Sequence, residues 1–176
     1  EALLLALARG DRRIVLIGHS MGAQLVTETL RQMSIGGEGW AMERLSAVVL
    51  ISPDIDMDLF RSQVERIDPF PQPFVVFLSQ RDRVLGLSAR LVDERERLGS
   101  TSDTALLTSL GISVVDLTAL SGQGSNDHLL AASSPTAIAI GRGLRQIGPE
   151  LGERGPTVID AADVLVREVI GVSQAP

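Results

Sequence analysis

The chain predicts an α/β fold, a mostly parallel sheet flanked by helices on both faces, and three observations carry that prediction. Four aliphatic runs, each only a few residues long, suit strands covered on both sides: Ile14 to Ile17, Ala47 to Ile51, Phe74 to Leu78 and Ile112 to Leu117. Between them lie segments with apolar residues at helical spacing, so strands and helices alternate along the chain. Finally, hydrophobic residues make up 44% of the 176 residues and Cys is absent, so the fold rests on a buried apolar core and not on disulfides.

Each element has its own local reason. Ala2 to Arg9 is helix-like and is ended by Gly10-Asp11. The first strand runs straight into Gly-His-Ser-Met-Gly and then into a helix marked by Gly22, Leu25, Val26, Leu30 and Met33. Ser34 to Glu43, holding Gly36, Gly37 and Gly39, is expected to be a loop. Ser52-Pro53 stops the second strand, while Pro71 and Pro73 lead into the third. Helices are expected at about Leu85 to Leu98 and Thr104 to Leu110. Ser134-Pro135 is a cap followed by Pro at the first helical position, opening a helix with Ala137, Ile140, Leu144 and Ile147 on its buried face. A Gly/Pro-rich link, Gly148 to Pro156, then leads to a last helix at about Asp160 to Ile170. Residues 1–147 thus form one domain portion, and 148–176 a linker and C-terminal helix packed on it.

Charge and composition exclude several classes of function. A net charge of −6, from 22 acidic and 16 basic residues, argues against a nucleic acid or an anionic membrane as partner. All 16 basic residues are Arg, which removes lysine-based covalent chemistry and phosphate loops that need Lys. The apolar run Ala2 to Ala8 is far short of the roughly 18 residues of a membrane span. The lack of Cys suits cytoplasm and periplasm alike and leaves the compartment open.

The chemistry is carried by Gly18-His19-Ser20-Met21-Gly22. G-x-S-x-G after an apolar strand and before a helix is the nucleophile elbow of α/β-hydrolases. Ser20 sits on the bend so that its Oγ leaves the top of the sheet. Gly18 and Gly22 are expected to be bare because strand and helix backbones nearly touch there. The helix start favours negative charge, and the Met21 N–H is the expected oxyanion donor. The plainer reading is an ordinary strand–Gly–helix turn, such as a phosphate-binding connection.

A serine hydroxyl needs a base. Of the two His, His19 directly precedes the nucleophile and points elsewhere, which by elimination leaves His128 in "GQGSNDHLLAASS", unless that residue merely caps or packs a helix. The acid should fall between Ser and His in the chain. Asp82, just past the third strand, fits; Asp54 and Asp56 are its rivals after the second, and a surface Asp paired with Arg81 or Arg83 is the plain alternative. Asn126 and Asp127 are better read as helix caps than as acids.

"HSMG", "SPDIDMDLFRSQ", "LSQRDRVLGLSARLVDERERLG" and the late Gly/Ser-rich loop ending in His together resemble an uncharacterised bacterial family of α/β-hydrolases, over roughly Arg13 to Gly143. The resemblance implies that Ser20 is the nucleophile, that the Asp of the S-x-x-D-x-x-L segment, Asp82, is the acid and that His128 is the base. It also implies that this chain holds the C-terminal part of the fold. The family has several strands before the elbow, and these, with the loop giving the second oxyanion N–H, have no counterpart here. A preceding segment or another chain is therefore expected to pair with strand 14–17, whose apolar edge would otherwise be open.

Weaker signals fit around this frame. Asp54, Asp56 and Asp58 alternate like a calcium loop, with Glu65 at its last position, but Leu59 stands where that loop needs Gly; no metal and no cofactor is expected. The segment from Pro53 to Pro73 is too short for a separate lid domain. Met21, Met57, Leu59, Leu129 and Leu130 are candidate pocket-lining residues for an acyl chain, and Arg81, Arg83, Arg90, Arg95 and Arg97 a solvated helix face. The function expected is a serine hydrolase of esterase or lipase type, acting on a small-molecule or lipid-like acyl substrate through an acyl-enzyme. Its alternatives are an acyltransferase on the same elbow, although Ala23 stands where such enzymes carry Glu, and a catalytically silent binding module.

Overall fold

Strands form where the sequence gathers aliphatic and β-branched side chains, and the pleat sends them alternately to the two faces of the sheet. A computed structural model describes residues 1–10, 13–82, 84–85, 87, 96–120 and 156–160. The strands are β1 (Ile14–His19), β2 (Leu45–Ile51), β3 (Phe74–Leu78), β4 (Ser113–Asp116) and β5 (Val158–Asp160), parallel throughout and in sequential order across the sheet. The helices are α1 (Ala2–Ala8), α2 (Gly22–Ile35), α3 (Gly39–Met42), α4 (Met57–Val64) and α5 (Thr104–Ser109).

The register defines the two faces. Leu16 pairs with Val48 and Gly18 with Leu50; these in turn meet Phe74 and Val76, and Val76 meets Val114. That face packs with Ala23, Val26, Leu30 and Met33 of α2, Phe60 and Val64 of α4, and Leu107 of α5 in one buried cluster. α2, α4 and α5 thus share one side of the sheet. Phe74 anchors the arrangement: its ring stacks on Phe70 at 5.2 Å and meets Phe60 edge-on at 6.4 Å. On the opposite face Val49, Val75, Phe77 and Val115 are buried, but Val15 and Ile17 of β1 remain 53% and 59% exposed. β1 is the sheet's edge among the described residues.

A polar network ties α2 to α4. The Thr27 hydroxyl donates to Gln63 Oε1 at 2.7 Å, and Gln63 Nε2 donates to Glu28 Oε2 at 3.0 Å. Arg31 closes the network on Glu28 through two hydrogen bonds of 2.6 and 2.8 Å.

Several expectations shift. The glycine-containing stretch after α2 contains the one-turn helix α3, because Ala41 and Met42 are drawn into the core. Arg97 and Leu98 do not continue an α-helix: Arg97 bridges Asp56, and Leu98–Ser100 makes a 3-10 turn. Asp160, expected to start the last helix, instead ends a strand, Val158–Asp160, that pairs with β4 from Val114↔Val158 onward. As its length implies, the segment between Pro53 and Pro73 forms no separate domain: Met57, Phe60 and Val64 of α4, with Ile67, are built into the core. The proposed helix from Ser134 and the rest of the last one lie outside the described residues.

Candidate active site

All five strands run the same way, so their C-terminal ends share one edge of the sheet, the edge at which α/β folds bind ligands. Ser20 follows β1 directly and holds φ of 53°, a left-handed conformation that costs a side-chain-bearing residue ~1–2 kcal/mol. The surroundings hold it there. Its N–H donates to Ile51 C=O at 3.0 Å, and its C=O accepts from Ala23 N–H at 3.0 Å and Asp54 N–H at 3.2 Å. Ala23 is the first N–H of the helix start to find this acceptor; those of Met21 and Gly22 have no backbone acceptor among the described residues. Met21 projects into solvent at 72% exposure.

The two elbow glycines are not equivalent. A Cβ on Gly18 would come within 2.9 Å of Ala23 Cα and 3.1 Å of Gly22 O. On Gly22 it would meet nothing within 4 Å. The expectation that both lack room is thus corrected for Gly22: it begins α2 on the solvent side, and Ala23 is the residue that turns toward the strand. His19 ends β1 on the same face as Val15 and Ile17, opposite the face that packs against α2.

Asp82 lies beyond β3, two strands from Ser20, and is only 3% exposed. Its N–H donates to Ser79 C=O at 3.1 Å, and its Oδ1 accepts from Val84 N–H at 3.0 Å and Leu85 N–H at 3.2 Å. Backbone donors therefore help to fix the carboxylate. Asp54, one strand nearer, faces Arg97, with Oδ1 3.5 Å from Nε. Both side chains are largely enclosed, so Arg97 is not part of a solvated helix face. Asp56 is the N-cap of α4, accepting from Leu59 N–H at 2.9 Å, and Arg61 pairs with Glu65 at 3.1 Å. These contacts engage three of the acids that mimic a calcium loop, Asp54, Asp56 and Glu65. Met57 is buried in the core, whereas Leu59 is exposed. His128, with Asp127, Leu129 and Leu130, lies outside the described residues, in the segment that follows β4.

Sequence reasoning missed Ser52 and Gly99. Ser52 ends β2 beside Ser20 with φ of 42°, is 1% exposed, and its hydroxyl has no partner among the described residues. Gly99 lies against Pro53 and Leu85, where a Cβ would fall 2.9 Å from Pro53 N and O. A serine directly before Pro at a strand end hints at the first; nothing in the residues around Gly99 announces the second.

No curated protein and no solved structure matches the chain significantly. Residues 1–145 match the family model described as "Alpha/beta hydrolase of unknown function", DUF900, which covers most of the chain. With a parallel sheet, a strained serine between strand and helix, and helices packed behind it, the chain belongs to this α/β-hydrolase family and carries part of that fold.

Proposed function

We propose that the protein is a serine hydrolase cleaving a carboxylic ester or related acyl substrate. Ser20 attacks the carbonyl carbon; His128 takes the hydroxyl proton and returns it to the leaving group as the acyl-enzyme forms. Asp82 orients His128 and stabilises its cation. The Met21 N–H supplies one oxyanion donor. The observation that carries the reading is the φ of 53° at Ser20, since a position needing only a tight turn would take Gly at no cost.

Strand spacing favours Asp82 over Asp54. Neighbouring strands lie ~4.8 Å apart, so the ends of β1 and β3 are separated by about 10 Å. That gap accommodates an imidazole with a hydrogen bond of ~2.9 Å on either side, whereas one strand step is too narrow. The test is labelling by a fluorophosphonate probe. The protein should label and Ser20→Ala should not; labelling that survives the substitution, or a protein that never labels, defeats the proposal and, in the second case, favours a silent binding module.

The same proposal includes a cover for β1, supplied by a preceding segment or another chain. It is supported by the exposed Val15 and Ile17 on an edge strand. Because the chain has no Cys, Val15→Cys gives a single reporter thiol. Slow reaction with a thiol reagent is expected in the working protein, and reaction at the rate of a free thiol speaks against a cover.

A further inference from the structure

Residues 53–57 and 96–99 run against each other as a short antiparallel ladder on the site's rim. Gly99 N–H donates to Pro53 C=O at 2.9 Å, Leu98 N–H to Ile55 C=O at 2.9 Å, and Met57 N–H to Glu96 C=O at 3.1 Å. At the Pro53–Gly99 end of this strap, each of its two strands reaches toward a residue of the proposed chemistry. On one side Asp54 N–H donates to Ser20 C=O at 3.2 Å. On the other, Gly99 C=O accepts from Ser79 N–H at 2.9 Å, and Ser79 C=O accepts from Asp82 N–H at 3.1 Å. A continuous path of backbone hydrogen bonds and covalent bonds thus joins nucleophile to acid without passing through the sheet.

One ion pair crosses the strap. Arg97 Nε lies 3.5 Å from Asp54 Oδ1, with the side chains 11% and 14% exposed. Enclosing a guanidinium and a carboxylate is unfavourable unless they face each other, and a turn needed only for chain reversal would not demand it. The surroundings allow little slack, since Gly99 is pressed against the Pro53 backbone and Leu85.

We infer that Arg97, through Asp54, is a positioning residue that fixes the span between Ser20 and Asp82. It touches neither substrate nor reacting atoms. The inference rests on the serine-hydrolase reading for its catalytic consequence, but the mechanical coupling of the two loops stands apart from it.

The test uses the full protein with Arg97→Gln, and with Asp54→Asn/Arg97→Gln, which removes both charges so that neither is stranded. With an activated ester, kcat of the double variant should fall 10- to 100-fold, as expected for reacting groups misplaced by up to an ångström, with KM within about twofold. The apparent pKa values of its pH–rate profile should stay where they are. A folded double variant with unchanged kcat overturns the inference. So does a displaced acid limb, which would make Asp54 the acid itself. Amide exchange at Asp54 and Ser79, one on each flank of the strap, is read in parallel. Both should accelerate together by about tenfold or more; acceleration at one flank alone overturns the coupling. If the wild-type protein turns over no ester, the hydrolase reading fails while the exchange result still decides the coupling.

Discussion

Gly18→Ala isolates the physical requirement behind the elbow. The new methyl would sit 2.9 Å from Ala23 Cα and 3.1 Å from Ala23 N and Gly22 O, all backbone atoms with no rotamer to yield. Relief requires α2 to move off the sheet by about half an ångström to one ångström, and overpacking of this kind costs ~1–3 kcal/mol. With a urea m-value of ~2 kcal/mol per M, a loss of ~2 kcal/mol lowers the unfolding midpoint by about 1 M. The same movement carries away the Met21 N–H, so turnover should fall by about tenfold or more. Gly22→Ala is the matched control. There a methyl meets nothing within 4 Å and gains helix propensity of up to ~1 kcal/mol, so stability should hold or rise. Urea titration and ester hydrolysis on both variants decide the matter. If Gly22→Ala is the more damaging, or Gly18→Ala is silent, close packing of strand against helix is not what the motif encodes.

Three further outcomes are expected. Asp82→Asn keeps an oxygen for the Val84 and Leu85 N–H groups, so stability should stay within ~1 kcal/mol while kcat drops roughly a thousandfold or more; equal losses of both would make Asp82 a structural cap. Ser52→Gly relieves a left-handed serine and removes a buried hydroxyl that has no partner among the described residues, and should stabilise by about 1 kcal/mol in a thermal or urea melt; destabilisation would show that the hydroxyl has a partner in the folded protein. Hydrogen bonding from Arg31, then from Gln32 and Gln63, holds the Glu28 carboxyl at about 2 instead of the usual 4.5. A lowered folded-state value means stability that is present above pH 4.5 and lost as pH falls toward 2. Stability curves of the wild type and Glu28→Gln should therefore converge at the acid end; curves that stay parallel refute this.

The sheet was legible because parallel strands covered on both sides must be nearly all aliphatic, and the runs at Ala47 to Ile51 and Phe74 to Leu78 hardly occur otherwise. The elbow was legible as a G-x-S-x-G run between an aliphatic strand and a helix, and Ser20 does hold the bend there with φ of 53°. What escaped had weak or misleading local signals. Val158–Asp160 is three residues after a Gly/Pro-rich stretch and becomes a strand only because β4 offers it an edge. Arg97 belongs to an alternation of acids and arginines that reads as solvated, and its burial depends on a carboxylate far away in sequence. The G-x-S-x-G spacing treats its glycines alike, whereas helix phase turns only one position toward the strand.

The sequential order of the strands also bears on how the molecule is made. Each of β1 to β4 pairs with the next to leave the ribosome, so the nascent sheet always presents its open border to the arriving segment and needs no long-range search. Among the described strands β1, whose end bears Ser20, is the first to be made. β5, emerging after a long intervening stretch, is the last of the described strands to be added, and losing it would trim the border farthest from the strand that bears Ser20.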